Sequence, residues 1–342
     1  SFRQDLLCMA DLAEEVARFF GYDNIPVTLP KGETPVGKKP FKIRVEDICR
    51  DTAERNGFSG GLTYSFESPK VFDKLLFAED AKERQAIEIS NPLGEDFSIM
   101  RTVSLNGMLV SLSSNMAHRN TNVRLYEFGN IYIPKELPLK ELPEERMQMT
   151  LGMYGDCDFF TLKGVLEDIL DALGLKGASE YVPVKDHPFL HPGRQADVML
   201  GEERVAYLGQ IHPEVMDHYN MKGEVYAAVI DMPVLVANAT FERKYEGVAK
   251  FPAMKRDLSM VMKKEIFVGQ IEKIFKKKGS SLLEAFELFD VYEGNQIEKG
   301  YKSVAYSLTF RAKDRTLEEA EVNQIVDQIL AELKKLGIEL RA

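Results

Sequence analysis

Cationic and aromatic side chains gather in the last part of the chain, and together these residue types can bind nucleic acid. Residues 247–342 contain 17 Lys and Arg against 15 Asp and Glu, whereas the whole 342-residue chain carries a formal charge of −10. Ammonium and guanidinium groups neutralise phosphates, and aromatic rings stack on unpaired bases. The candidate residues for these contacts are Lys255, Arg256, Phe289, Tyr292, Arg311, Lys313 and Arg315.

Two of the cationic features also have a simpler interpretation. The lysines between positions 273 and 278 fall at the end of a predicted helix, where the helix dipole favours positive charge and water solvates the side chains. Arg256 is followed directly by Asp257, so these two side chains can pair with each other. The cations between positions 311 and 315 are therefore the preferred phosphate contacts.

Other side chains that could do chemistry lack the context that such chemistry needs. His187, His191 and His212 are each followed by proline, which disfavours the helix on which two histidines four residues apart bind a metal. Lys163 and Gly164 follow no glycine-rich loop, and the chain has no GxSxG segment. Neither a phosphate-binding P-loop nor a serine-hydrolase elbow is predicted, and the histidines are expected in loops or turns.

The composition is that of an ordinary globular protein. Cys8, Cys49 and Cys157 lie far apart without CxxC spacing, which argues against a disulfide framework and a structural zinc site. With 44% hydrophobic residues, the chain can bury a sizeable core in two or three domains. No apolar run approaches the roughly 18 residues of a membrane helix, and no leader pattern opens the sequence. We expect a cytoplasmic protein with neither membrane nor DNA as a partner.

The elements that must position the C-terminal cations follow from the periodicity of the apolar residues. Apolar side chains alternate over 258–262, 286–288 and 304–310, which predicts three strands. They recur at helical spacing over 268–275 and 322–333, and a short apolar segment ends the chain. The order βαββαβ predicts a ferredoxin-like domain in which both helices cover one face of a four-stranded sheet.

The opposite face of this sheet can be reached by a partner, and the alternation predicts which side chains line it. They are Ser259, Val261, Phe289, Ser307, Thr309 and Arg311. Thr316 and Glu319 form a predicted capping box for the second helix, and Gly337 ends that helix.

The remainder of the chain mixes helical patterns with strand-like runs. Helices are predicted over 11–20, 44–56, 103–117 and 161–173, and strand-like runs fall within 124–232. This mixture predicts an α+β core built on a mostly antiparallel sheet.

These patterns divide the chain into four segments. We expect residues 1–30 to be the C-terminal end of a truncated upstream domain and residues 31–40, rich in Pro, Gly and Lys, to be a linker. Residues 41–246 form the core, and residues 247–342 form the ferredoxin-like domain.

Four carboxylates, of Asp5, Asp11, Glu14 and Glu15, surround the start of the first helix. Asp11 and Glu14 have the spacing of a capping box, and the helix dipole favours acids at this end. The residues by themselves therefore favour capping over metal binding.

Several segments, in chain order, resemble the β subunit of bacterial phenylalanyl-tRNA synthetase. FPAMKRDLSMVM, with LFDVYEGNQIEKGYKSVAYSLTFRAKDRTLEEAEVN, is similar to the ferredoxin-fold anticodon-binding domain of that family. NPLGEDFSIMRTVSLNGML, RLYEFGNIY and LGQIHPEV are similar to its class II aminoacyl-tRNA synthetase-like core. The resemblance covers nearly the whole chain.

The resemblance implies a β subunit that docks on a catalytic α subunit in an α2β2 heterotetramer and binds tRNA(Phe) near the anticodon. The α subunit would use ATP to attach phenylalanine. The resemblance also implies a magnesium ion, shared with the α subunit, on Asp5, Asp11, Glu14 and Glu15. In this chain taken alone, that site is expected to be empty.

Arg124, in RLYEFG, is the nearest candidate for a phosphate-binding arginine of the class II enzymes, but it departs from their usual pattern, and no GxGxGxER-like segment occurs. Such enzymes need two arginines placed to stabilise charge on the phosphates in the transition state. The core is therefore predicted to form no aminoacyl-adenylate by itself. A free-standing RNA-binding or regulatory module is the contrasting function, and the missing arginines argue against a self-sufficient ligase.

Overall fold

The computed structural model describes residues 2–243, 245, 247–294 and 296–341. Glu246, the last residue of the predicted core, lies outside these ranges. The α-helices of the described part are α1 (Met9–Phe20), α2 (Phe41–Arg55), α3 (Val71–Lys74), α4 (Leu105–Ala117), α5 (Phe159–Ala172), α6 (Pro213–His218), α7 (Met232–Asn238), α8 (Val268–Lys278) and α9 (Glu319–Lys335). None of them is long and apolar enough to cross a membrane.

The strands are β1 (Ser59–Gly60), β2 (Phe66–Glu67), β3 (Ile99–Met100), β4 (Val123–Ile133), β5 (Glu144–Tyr154), β6 (Ser179–Pro183), β7 (Leu190–Leu200), β8 (Glu203–Ile211), β9 (Val225–Asp231), β10 (Met254–Lys263), β11 (Leu283–Tyr292), β12 (Tyr301–Phe310) and β13 (Glu339–Leu340). Two compact units are present, Ser1–Arg44 and Val45–Ala342.

The first unit contains α1, which begins two residues before the predicted start. The Asp11 carboxylate accepts hydrogen bonds from the backbone N–H groups of Leu7 and Cys8, at 2.6 and 2.7 Å. Asp11 is therefore the third residue of the helix, where it satisfies N–H groups that have no partner within the helix. The predicted capping box between Asp11 and Glu14 is wrong.

A seven-stranded sheet forms the centre of the second unit, in the order β1-β4-β5-β9-β8-β7-β6. All neighbours are antiparallel except β1 and β4, which are parallel, so the predicted mostly antiparallel core is confirmed. One face packs Met149 and Leu151 against α2, α5 and α7. The other face packs Tyr154 and Ala227 against α3, α4 and α6. Both faces are thus covered by helices.

The C-terminal sheet has the order β11-β12-β10-β13 and is antiparallel throughout. Met260 and Tyr306 are fully buried beneath Phe275 of α8 and Ile329 of α9. The predicted α+β class and the βαββαβ order of the ferredoxin-like domain are confirmed.

Helix α9 starts later than its predicted capping box requires. Its first residue is Glu319, and the Glu318 backbone N–H donates to the Glu321 carboxylate at 3.1 Å. The predicted box between Thr316 and Glu319 is therefore wrong, because the chain turns into the helix two residues further on. Gly337 follows the helix with a φ of 74°, a conformation that glycine adopts without steric cost, as predicted for the helix end.

Candidate nucleic-acid interface

Strand register defines the face of the C-terminal sheet that carries no helix. Directly opposed residues of an antiparallel pair point to the same side, and the row of Leu258, Tyr306 and Leu288 lies on the helix side. The rows on the open face are Lys255–Thr309–Ala285, Asp257–Ser307–Glu287, Ser259–Ala305–Asp290 and Val261–Ser303–Tyr292. The predicted open-face positions of residues 259, 261, 307 and 309 are confirmed.

Carboxylates outnumber cations on the strands of this open face. Glu339 lies opposite Val261, and Lys263 lies opposite Tyr301, so both belong to the same side. Its described strand residues carry the carboxylates of Asp257, Glu287, Asp290 and Glu339 and the ammonium groups of Lys255 and Lys263. A phosphate backbone is repelled by the centre of such a face, whereas carboxylates accept hydrogen bonds from the amino groups of bases.

Phe289 lies in an irregular part of β11. The register shifts between Leu288 and Asp290, so Phe289 has no residue opposite it in β12. This bulge interrupts the alternation from which the open-face position of Phe289 was predicted. The ring is 56% exposed, so a base can reach it.

Tyr292 belongs to the open face and has a cationic neighbour that the sequence did not indicate. The Arg341 guanidinium carbon lies 5.7 Å from the centre of the Tyr292 ring, and Arg341 donates to the Gln296 side-chain oxygen at 3.0 Å. The backbone N–H of Arg341 also donates to the Ser259 carbonyl at 2.8 Å. Tyr292 and Arg341 therefore offer a ring and a cation side by side.

Two of the candidate arginines are held by the domain itself. The Arg256 side chain lies on the helix side and donates to the Glu319 carboxylate at 2.8 Å. Arg311 lies beyond the end of β12, so its predicted place in the third strand is wrong. Its guanidinium donates to the Glu284 carboxylate at 2.9 Å and to the Phe251 carbonyl at 2.7 Å.

Arg315, Lys313 and Lys255 are more accessible. Arg315 binds Glu321 through two hydrogen bonds of 2.7 Å, and this partner raises the pKa of the guanidinium and lowers that of the carboxylate. Lys313 and Lys255 are exposed. Arg315, Lys313 and Lys255 are therefore the predicted cations that lie on the exposed surface of the domain.

Two family models match consecutive parts of the chain. The phenylalanyl tRNA synthetase beta chain CLM domain matches residues 25–232, and the ferredoxin-fold anticodon binding domain matches residues 249–341. The chain belongs to the phenylalanyl-tRNA synthetase β-chain family. The resemblance drawn from the sequence motifs is therefore confirmed.

Relatives of this β chain match it over its full length. The phenylalanine–tRNA ligase beta subunits of Clostridium tetani and Clostridium acetobutylicum are 42% and 40% identical over 342 residues. The alignment covers 100% of this chain but 43% of each relative, so the chain spans less than half the length of these proteins. A solved structure of Desulfitobacterium hafniense pyrrolysyl-tRNA synthetase matches 58% of this chain and 69% of its own, with a TM-score of 0.48 at 16% identity.

In this chain, three of the four carboxylates that the resemblance assigns to magnesium have other partners, and the fourth faces solvent. Asp5 and Glu15 both bind the Arg3 guanidinium, at 2.6 and 2.8 Å, and Arg3 holds the pKa of Asp5 at about 2. Asp11 is occupied by backbone N–H groups, and Glu14 is exposed. Among the described residues, no three His, Cys, Asp or Glu side chains converge as metal ligands.

Arg124 of the β chain has a structural role. Its guanidinium donates to the backbone carbonyls of Asn56, at 3.0 Å, and Asp156, at 3.4 Å. These bonds join β4 to the loops that follow α2 and β5. The side chain that the sequence offered as the nearest counterpart of a phosphate-binding arginine is thus used within the fold.

A buried polar cluster of the β-chain core was not predicted. Arg101 and Glu127 are each 2% exposed and pair at 3.2 Å, while Arg101 also donates to the Asn130 carbonyl at 2.7 Å. The Thr63 hydroxyl donates to Glu127 at 2.8 Å. A Cβ at Gly129 would collide with the Arg101 guanidinium, so glycine leaves room for it. The sequence feature that could have indicated this cluster is Glu127, a charged residue within a largely apolar strand.

Proposed function

We propose that the chain is part of a phenylalanine–tRNA ligase β subunit that binds tRNA(Phe) near the anticodon and docks on the catalytic α subunit. The match to an anticodon-binding domain over residues 249–341, in a chain that aligns from end to end with named β subunits, carries this proposal. The α subunit supplies ATP-dependent attachment of phenylalanine, and the assembly is an α2β2 heterotetramer. This chain supports the reaction by positioning the tRNA.

The acidic open face divides the tRNA contact into two kinds. Lys255, near the start of β10, and Lys313, beyond the end of β12, are exposed and bind phosphates at this end of the sheet. Phe289 and Tyr292 stack on unpaired bases, and the carboxylates of the open face accept hydrogen bonds from base amino groups. Phosphate contacts set the affinity, and the central carboxylates set the choice of base.

Binding of fluorescently labelled tRNA(Phe), followed by anisotropy at several salt concentrations, tests this division. Lys255→Ala and Lys313→Ala should each weaken binding and lower the slope of log K against log salt by about 1. Lys334→Ala, at an exposed position of α9, is the matched control and should change neither. Equal effects at all three positions would contradict the proposed interface.

A second series tests the bases. Tyr292→Leu should cost about 1–3 kcal/mol of binding free energy without changing the salt slope, because stacking releases no counterions. Asp290→Asn should reduce the preference for tRNA(Phe) over a tRNA with another anticodon. Uniform loss for both tRNAs would show that Asp290 does not read bases.

The chain alone is proposed to form no aminoacyl-adenylate. The hydrogen bonds of Arg124 to two backbone carbonyls support this, because they orient its guanidinium toward the fold's own backbone. Exchange of pyrophosphate into ATP in the presence of phenylalanine should be absent with the chain and present with the α subunit in its ligase. Exchange by the chain alone would contradict the proposal.

Magnesium binding enters the proposal only for the assembly with the α subunit. Arg3 would have to release Asp5 and Glu15 before either could bind a metal. Calorimetric titration of Mg²⁺ should give no binding to the chain alone and one site with the α subunit present, a site lost on Asp11→Asn. A site seen with the chain alone would show that the ion itself displaces Arg3.

A further inference from the structure

A cavity of about 920 Å³ opens in the β-chain core, away from every residue that the proposed function uses. It lies between the loop over residues 76–85, the loop over 186–189 and the ends of β4, β5, β8 and β9. Its volume is in the range of pockets that hold small organic molecules and cofactors. The cavity is therefore large enough for a ligand of nucleoside size.

One wall of the cavity is aromatic. The Tyr207 ring lies 4.5 Å from the His187 ring and 5.6 Å from the Phe189 ring, and Phe77 lies 5.6 Å from Phe189. The His187 Nε2 atom is 2.8 Å from the Asp197 carboxylate, which fixes the orientation of the imidazole. A planar ring placed here would exchange water for a rigid aromatic surface.

The charges around the cavity cancel. Lining residues contribute three cations and three carboxylates: Lys82, Arg146, Arg204, Glu83, Asp186 and Asp231. The Arg146 Nε atom donates to Asp231 at 2.6 Å, and its Nη1 atom donates to Glu144 at 2.9 Å. The lining carries no net charge, so it favours a neutral ligand over an anion or a cation.

Two polar groups on the lining have no partner among the described residues. The Gln148 side-chain oxygen accepts from Ser104 at 2.6 Å, which leaves its Nε2 amide as a donor. The Tyr207 hydroxyl is bonded to no described residue, and burial raises its pKa, so it keeps its proton and can both donate and accept. A ligand that bears both acceptors and donors satisfies these groups.

We propose that this cavity binds a neutral, planar heteroaromatic molecule with hydrogen-bond donors and acceptors on its edge, the chemistry of a nucleobase. The ring lies against the aromatic wall formed by Phe77, His187, Phe189 and Tyr207. Its edge accepts a hydrogen bond from Gln148 Nε2 and exchanges one with the Tyr207 hydroxyl. Nothing in this site depends on the tRNA contact, because all of these residues lie in the core.

Calorimetry with the 342-residue chain and adenosine as the probe tests the site. Adenosine should bind with a dissociation constant below about 1 mM. Three control compounds should bind at least about tenfold more weakly. Ribose lacks the aromatic base, and benzoate and benzylamine carry a charge. Equal binding of a charged ring, or no adenosine binding to a folded chain, would overturn the proposal.

Matched variants locate the binding. Tyr207→Phe should weaken adenosine binding by about three- to tenfold, because it removes one hydrogen bond. Tyr181→Phe is the control, since the Tyr181 hydroxyl has no hydrogen-bond partner among the described residues and lies outside the cavity. Ala81→Trp, at the lining, should abolish binding while tRNA affinity stays unchanged. If the two tyrosine variants behave alike, or Ala81→Trp still binds adenosine, the site is not this cavity.

Discussion

The seven-stranded and the four-stranded sheets of this chain differ in how many of their faces are covered. The seven-stranded sheet is packed by helices on both sides, whereas the four-stranded sheet is packed by α8 and α9 on one side. Polar side chains on the first sheet must find partners within the protein, but those on the open face of the second can find them in another molecule. The difference supports the proposal that the four-stranded sheet, and not the seven-stranded one, provides the binding surface.

Ion pairs show the same contrast. Arg101 and Glu127 pair in the core at 2% exposure, with further hydrogen bonds to Thr63 and Asn130. Arg315 forms its pair with a glutamate at the surface, where water screens the attraction. A surface arginine can exchange its carboxylate for a phosphate, whereas a buried one cannot leave without exposing a charge.

Removal of the buried cation is the strongest test of this contrast. Arg101→Ala should lower the free energy of unfolding of the core by about 3–5 kcal/mol, because Glu127 would stay buried without compensation. Hydrogen exchange of the β4 and β5 amides under native conditions would measure the loss in that sheet. Unchanged protection of these amides would show that the pair is dispensable.

Adjacent residues of β10 test the difference between the two faces of one sheet. Met260→Ala, on the helix side, should cost about 2–5 kcal/mol, because the side chain is fully buried. Val261→Thr, on the open face, should change stability by less than about 0.5 kcal/mol. Hydrogen exchange of the β12 amides would measure the loss of stability in both variants. A similar loss at the two positions would show that the open face is packed like the helix side.

A buried carboxyl gives the core a pH-dependent stability. Glu67 is 4% exposed, and burial, opposed by hydrogen bonding from Asn106 and by the charge of Arg101, raises its pKa from 4.5 to about 7. Between these pH values the folded state keeps a proton that the unfolded state releases, so stability falls as pH rises. The core should be about 3 kcal/mol less stable above pH 7 than below pH 4.5 from this group.

Glu67→Gln isolates that contribution. The variant should lose the decline between about pH 4.5 and pH 7, and the difference between variant and wild-type urea unfolding curves across this range measures it. If the stability of the two proteins falls equally over this pH range, Glu67 has the same pKa in the folded and the unfolded state.

The surface pair should give the smallest effect. Arg315→Gln leaves Glu321 in water, so thermal unfolding of the C-terminal domain should be unchanged within error, while tRNA binding weakens if the arginine reaches phosphate in the complex. A clear loss of stability would assign Arg315 to the fold instead of the interface.

The periodicity of the apolar residues was enough to predict the C-terminal sheet and its open face. Residues such as Leu258 and Met260 alternate with Ser259 and Val261. Because successive side chains of a strand point to opposite faces, this alternation assigns each residue to one face. The alternation failed at Phe289, because a bulge is one extra residue that the pattern does not mark. Helix starts at Met9 and Glu319 were misplaced, because more than one nearby acid could close each cap.

The sequence by itself determined the family, the α+β class and which cations could be presented to a polyanion, since these depend on residue order and local spacing. Tertiary structure decided which of those cations are accessible, because Arg256 and Arg311 meet carboxylates from distant segments. It also decided that Arg101, Glu127 and Glu67 share one buried cluster and that Tyr207 faces a cavity. Such contacts join residues far apart in the chain, and only the folded backbone brings them within bonding distance.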